Sequence, residues 1–123
     1  MCLAHGGGCL PWLRGRLDLG WKRKDVAHTT EIPPSEFCKQ LYYDTAVFDS
    51  TLLAHLVSDM GVDRVLLGTD HPFELGDTDP VGTVRSLGLS AADTEKILWR
   101  TADSLLASPV STQTAVGSAK HRR

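Results

Sequence analysis

Hydrophobic and polar residues follow a clear rhythm in the middle of this chain. Leu41-Tyr42-Tyr43-Asp44-Thr45-Ala46 is rich in aromatic and β-branched side chains and predicts a strand. Asp49 or Ser50 can cap the helix that follows. Its apolar residues Leu52, Leu53, Leu56, Val57 and Met60 fall three and four apart, and Gly61 stops it. Val65-Leu66-Leu67 reads as a short buried strand closing on Gly68-Thr69-Asp70. Strand, amphipathic helix and strand in that order make one βαβ unit, so the two strands must be parallel.

The flanks extend the pattern. Thr78 or Asp79 with Pro80 opens a further helix that ends near Gly88. Ser90, with Asp93 three residues on, resembles a capping box. Ile97/Leu98, Thr101/Ala102 and Leu105/Leu106 then recur every four residues, predicting a helix over about 90–107. Upstream the rhythm weakens. Met1-Cys2-Leu3-Ala4 is an apolar stub ending at His5 and three glycines, shorter than the usual five or six residues of a strand, so the chain is expected to open inside an element. Pro11 suits a first helical turn, although Gly15 and Gly20 count against a helix over 10–24. A loop runs through Thr29 and Thr30 to Pro33-Pro34, and residues 35–41 predict a short helix with Ser35 near its cap. Residues 108–123 have no apolar period and are expected to be disordered.

Length changes this picture. At 123 residues the chain is one domain at most, and too short for a complete (β/α)₈ barrel of about 200 residues or more. A hydrophobic share of 41% with 23% charged residues suits an ordinary globular chain. The net charge of −2 hides a segregation: Arg14, Arg16, Lys22, Arg23 and Lys24 outweigh Asp18 and Asp25 near the start, whereas acids dominate from Glu31 onward. No basic face with interleaved aromatics appears, so nucleic acid is not the expected partner. Cys2, Cys9 and Cys38 form no C-x-x-C, which argues against a disulfide framework and a structural zinc site. No apolar run approaches the roughly 18 residues of a membrane span, and no signal-peptide pattern opens the chain. A cytoplasmic location without a membrane partner is the expectation.

Two positions carry candidate chemistry. His5 precedes Gly6-Gly7-Gly8, where missing side chains let backbone pass close to a ligand. Asp70 directly follows a buried strand, where an acid is costly unless paired, hydrogen-bonded or metal-bound. Each has a plainer reading: a hydrogen-bonded turn histidine, and a helix or turn cap. Their joint occurrence around the βαβ unit favours chemistry, because polar residues at the carboxyl ends of parallel barrel strands form active sites. Other residues suit structural roles. His71 is expected to pack or cap beside Asp70, with support of a metal site as the alternative. His55 is expected to be solvated on its helix, and His28 to lie on a surface loop. Trp12, Trp21 and Trp99 are expected to be core or interface anchors, and Cys9 and Cys38 small apolar residues.

Taken in order, Ala4-His5-Gly6-Gly7-Gly8, Pro11, Gly15-Arg16-Leu17, Tyr43-Asp44-Thr45 and Leu67-Gly68-Thr69-Asp70-His71-Pro72-Phe73 are similar to the amidohydrolase-related metal-dependent family. The likeness is strongest to its aminocarboxymuconate-semialdehyde decarboxylase-like members and covers about residues 2–106. It implies an α/β fold that is the C-terminal part of a (β/α)₈ TIM-type barrel, an incomplete barrel over 1–107. Residues 1–5 would end strand six, residues 41–46 form strand seven and residues 64–69 strand eight. It further implies that His5 is catalytic, acting on metal-bound water or substrate, and that Asp70 is a metal ligand. Arg16 would bind a substrate carboxylate, in some members that of a neighbouring subunit, and Asp44 would sit in the barrel mouth as a hydrogen-bonding residue. The implied cofactor is a divalent metal, with zinc the expected ion. The family's His-x-His pair and its strand-five His have no counterpart among His5, His28, His55, His71 and His121.

The resulting expectation is a hydrolase or C–C decarboxylase acting on a carboxylated small molecule, with this chain inactive or poorly soluble by itself. Its expected partner is a second copy or a missing N-terminal half. The alternatives are a non-enzymatic α/β interaction module and one half of a split enzyme.

Overall fold

The computed structural model describes residues 1–26 and 30–107; His28 and the segment 108–123, expected to be a surface residue and a disordered tail, lie outside the described residues. Three short parallel strands form one sheet in the order β1 (Cys2–Leu3), β2 (Tyr42–Asp44), β3 (Val65–Leu66), with Leu3 opposite Tyr43 and Asp44 opposite Leu66. The expected parallel pairing is therefore present, in strands shorter than the apolar runs suggest. The ladder between β2 and β3 stops there because the Gly68 N–H, which would continue it, goes to the Thr45 hydroxyl at 3.0 Å, while on the outer edge of β3 the Leu67 N–H donates to the Ile97 carbonyl at 3.0 Å. That acceptor lies in a π-helical stretch, Lys96–Arg100, joining α5 (Ala91–Glu95) to α6 (Thr101–Ala107). The wider turn disturbs the regular helical ladder there.

The helix between β2 and β3 forms as its residues dictate. It runs Ser50–Met60 (α3), the Asp49 carboxylate accepting the Leu52 N–H, and its Gly61 N–H closes on the Val57 carbonyl. Leu53, Leu56, Val57 and Met60 are buried, whereas Leu52, expected on the same stripe, is exposed. With Tyr43, Val65, Val84 and Ile97 they make the core on the helical side of the sheet. The helix opened by Asp79 and Pro80 (α4, Pro80–Ser86) and the Ser90 cap on the Asp93 N–H also stand as the residues predict. Leu105 and Leu106 do not reach the core: α6 extends beyond it, leaving Leu106 87% exposed.

The N-terminal helices depend on tertiary contacts. α1 spans Leu10–Trp21 despite Gly15 and Gly20, yet buries none of its residues fully. α2 is Pro34–Cys38, capped backbone-wise by Pro33 rather than Ser35. The acceptor for its first turn comes from α1: the Asp18 carboxylate takes the Ser35 N–H at 2.8 Å. The Ser35 hydroxyl first, and that N–H after it, hold the Asp18 carboxyl below its ordinary value. A carboxyl lowered on folding stabilises the fold above its unfolded pKa and loses that contribution as pH falls. The Ser35 amide resonance is therefore expected to titrate with a midpoint below about 3.9, and Asp18→Asn to abolish the step; an unchanged titration in the variant would refute the contact.

Several other expectations are corrected by packing. Of the two places expected for the tryptophans, core or interface, the core is not taken: Trp12 and Trp99 are exposed, and Trp21, half-buried, donates its indole N–H to the Thr30 carbonyl at 3.4 Å. Cys38 is buried as expected, but Cys9 is exposed. His71 is exposed, held through its backbone N–H on the Thr69 hydroxyl at 3.1 Å.

Candidate active site

Side chains alternate across β2. Tyr43 points into the core, where its hydroxyl donates to the Cys38 carbonyl at 2.7 Å and burial pushes its pKa up to about 12. Asp44 must then face the opposite side. From there its carboxylate accepts the Gly6 N–H at 2.9 Å and the Ala46 N–H at 3.1 Å. The first bond ties the turn carrying His5 to the end of β2. The second closes the chain's own turn after the strand.

Gly68 completes the arrangement from β3. A Cβ on Gly68 would sit 2.7 Å from the Asp44 Cβ, so only glycine lets the strand end pass beside that carboxylate. The buried Thr45 hydroxyl locks the same place: it donates to the Gly68 carbonyl at 3.1 Å and accepts the Gly68 N–H at 3.0 Å. Asp44 and Thr45 thus draw the ends of all three strands together. His5 lies one residue from the Gly6 contact and Asp70 two residues beyond Gly68, so both stand at the carboxyl end of the sheet. Both also have positive φ, 54° for His5 and 58° for Asp70, which non-glycine residues adopt rarely and mostly at functional or tight-turn positions. A turn closed by the Phe73 N–H on the Asp70 carbonyl and the Asp77 N–H on the Thr69 carbonyl holds the Asp70 segment in place.

Arg16 is not brought to this place. It is exposed on α1, outside the cleft that His5 borders. The cation that reaches across from α1 is Arg14, paired with Asp59 of α3. Only the helical spacing of Arg14 from Pro11, whose carbonyl accepts its Nε at 3.0 Å, hinted at that orientation. Asp44 carried a hint in its position at a strand end, but its two N–H partners are set by the turn 38 residues upstream and by its own.

Metal chemistry was tested against the donors present. Among the described residues no three His, Cys, Asp or Glu side chains converge so as to hold an ion, whereas a catalytic zinc ordinarily takes three protein ligands. These residues do not make a metal centre by themselves. At the end of the sheet, where such centres form in barrels, stand two acids, Asp70 and Asp44, the second already accepting two backbone N–H groups.

Parallel strands joined through helices, with polar residues gathered at their carboxyl ends, define an α/β unit. The amidohydrolase family model matches residues 1–107. The chain is 37% identical over 109 residues to a 2-amino-3-carboxymuconate-6-semialdehyde decarboxylase of Caenorhabditis elegans, covering 86% of this chain and 27% of that protein. It is 39% identical over 89 residues to the enzyme of the same name from Dictyostelium discoideum, covering 71% and 25%. Among solved structures, a dihydroxybenzoic acid decarboxylase from a Polaromonas species, with bound manganese and the inhibitor 2-nitroresorcinol, superposes with a TM-score of 0.70 at 26% identity, over 85% of this chain and 32% of that one. The chain belongs to the amidohydrolase family, among its 2-amino-3-carboxymuconate-6-semialdehyde decarboxylase-like members. It spans about a quarter of the length of the curated relatives it matches.

Proposed function

We propose that residues 1–107 supply strands six to eight of an amidohydrolase-type barrel that decarboxylates a carboxylated small molecule. The observation that carries this reading is the convergence of the His5 turn and the Gly68-Thr69-Asp70 segment on Asp44. In this reading His5 moves the proton at the reacting carbon, a role imidazole suits near neutral pH. Asp70 contributes one ligand to a divalent metal, with zinc the expected ion, whose remaining ligands lie outside these residues. Arg16, facing solvent on α1, grips a substrate carboxylate in a neighbouring subunit, for which its planar fork is better shaped than a lysine. Both curated relatives are named as decarboxylases, which favours loss of a carboxyl group over hydrolysis.

The test is to produce this chain together with a polypeptide bearing the preceding strands of a homologous decarboxylase. Bound metal and carbon dioxide release from a carboxymuconate semialdehyde are then measured. Asp70→Ala is expected to lose the metal, and His5→Ala to keep it while turnover falls about 10²–10⁴-fold. Arg16→Ala is expected to raise KM more than it lowers kcat. An Asp70→Ala assembly with full metal and full turnover would overturn the reading.

A further inference from the structure

At the amino end of the sheet, opposite the end that carries His5 and Asp70, lies a cleft of about 400 Å³. Tyr42, the first residue of β2, lines it with Asp63 and Arg64, which directly precede β3, and with Lys96 and Arg100 of the π-helical stretch. Three of these side chains are cations, and they are not equally compensated. Lys96 is held by two carboxylates, Asp63 at 3.1 Å and Asp93 at 3.3 Å. Arg100 pairs with Glu95 at 2.7 Å. Arg64 is paired with no carboxylate among the described residues; its guanidinium lies over the Tyr42 ring, 4.9 Å from the centroid. A ring face attracts a cation without neutralising it.

The side of the sheet that Arg64 occupies gives this weight. Side chains alternate along a strand, and Tyr43 points into the core on the helical side. Tyr42, and the guanidinium stacked on it, are therefore on the other side, the same one as the Asp44 carboxylate. In a closed barrel that side becomes a packed interior, not a pore. Arg64, half-buried in this chain, would lose its remaining water on closure. A charge taken out of water needs an opposite charge beside it, and the acid lining this cleft, Asp63, is already committed to Lys96.

We propose, on the barrel reading of residues 1–107, that Arg64 seats a carboxylate carried by the chain segment that closes the barrel against β3. The joining segment is thus acidic at the level of Arg64. The contact stands at the end of the sheet away from Asp70 and takes no part in the reaction.

The test is to produce this chain with an affinity-tagged polypeptide bearing the preceding strands of a homologous decarboxylase, and to measure how much of the chain the tag retains. Arg64→Gln, which keeps a flat side chain over Tyr42, and Arg64→Glu are each expected to cut retention at least about tenfold. Arg100→Gln, which removes a cation already paired with Glu95, is expected to change it less than about twofold. Each Asp and Glu of the tagged partner is then changed in turn to Arg and paired with Arg64→Glu. One of these reversals is expected to bring retention back to within about twofold of the original pair, a rescue that a direct charge contact gives and a folding defect does not. Full retention of both Arg64 variants, an equal loss in Arg100→Gln, or no rescue by any reversal would overturn the proposal. Full retention of those variants with metal and carbon dioxide release intact would overturn it alone. No retention of the unaltered chain would overturn it together with the barrel reading.

Discussion

Asp44→Ala is expected to lower the unfolding free energy by about 2–3 kcal/mol, read as a drop in the urea midpoint at constant slope. The carboxylate has no apolar packing role to lose; what it holds are two backbone N–H groups, of Gly6 and Ala46. Removing one acceptor leaves both donors without a partner, and an orphaned donor costs more than an average hydrogen bond contributes. Asp44→Asn keeps a carbonyl oxygen in the same position and is expected to cost less than half as much. If alanine and asparagine were equally mild, below about 0.5 kcal/mol, the strand ends would not depend on this side chain. The same variant should perturb the amides of His5 and Gly68 more than those of α4, since Asp44 lies between the His5 turn and the end of β3.

The second large effect concerns the glycines after His5. Gly7 has φ of 82°, and a Cβ built on it would lie 2.7 Å from Cε1 and 2.8 Å from Cδ1 of Tyr43. That ring cannot retreat, because it is fully buried and its hydroxyl is bonded to the Cys38 carbonyl. Gly7→Ala therefore adds about 1–2 kcal/mol for left-handed backbone to about 1–3 kcal/mol for overpacking. Gly8 is the control. Its φ of 58° with ψ of −126° lies outside the αL basin and a Cβ there meets nothing within 4 Å, so Gly8→Ala is expected to cost backbone strain alone. The Gly7→Ala loss, measured by urea unfolding, is expected to shrink when Tyr43 is also shortened to Leu, and an unchanged loss in that pair would show that contact with Tyr43 does not matter. The run of three glycines thus separates into different jobs: Gly6 donates to Asp44, Gly7 lets the turn lie on Tyr43, and Gly8 turns the chain toward α1.

Where local chemistry decides the conformation, the residues alone announce the structure. Asp49, Asp79 and Ser90 each carry a side-chain oxygen that can satisfy an N–H two or three residues on, so the starts of α3, α4 and α5 were legible. The apolar spacing of α3 and the glycine after it are equally local, and a βαβ pattern leaves only parallel pairing for β2 and β3. Motif order around His5 and Asp70 was enough to place the chain in its family, a placement the family match over residues 1–107 bears out.

Long-range geometry decided the rest. α1 carries two glycines and a weak apolar stripe, and it stands because Asp18 caps α2, Arg14 pairs with Asp59 and Trp12 stacks on His55. Each of those partners lies 17 to 45 residues away, beyond the reach of any local pattern. The solvent-facing position of Arg16 and the crossing position of Arg14 follow from how α1 is docked, which spacing within α1 does not specify. The shortness of β3 reflects a side-chain hydroxyl, that of Thr45 some 23 residues back, taking the Gly68 N–H that would have continued the ladder. Sequence by itself determined the caps, the periodic helices, the parallel order and the family, because these rest on neighbouring atoms or on motif order. Only the tertiary structure decided that Asp44 gathers the three strand ends and that a cleft opens between α1 and α3, because both depend on which distant donors and rings the folded chain brings into contact.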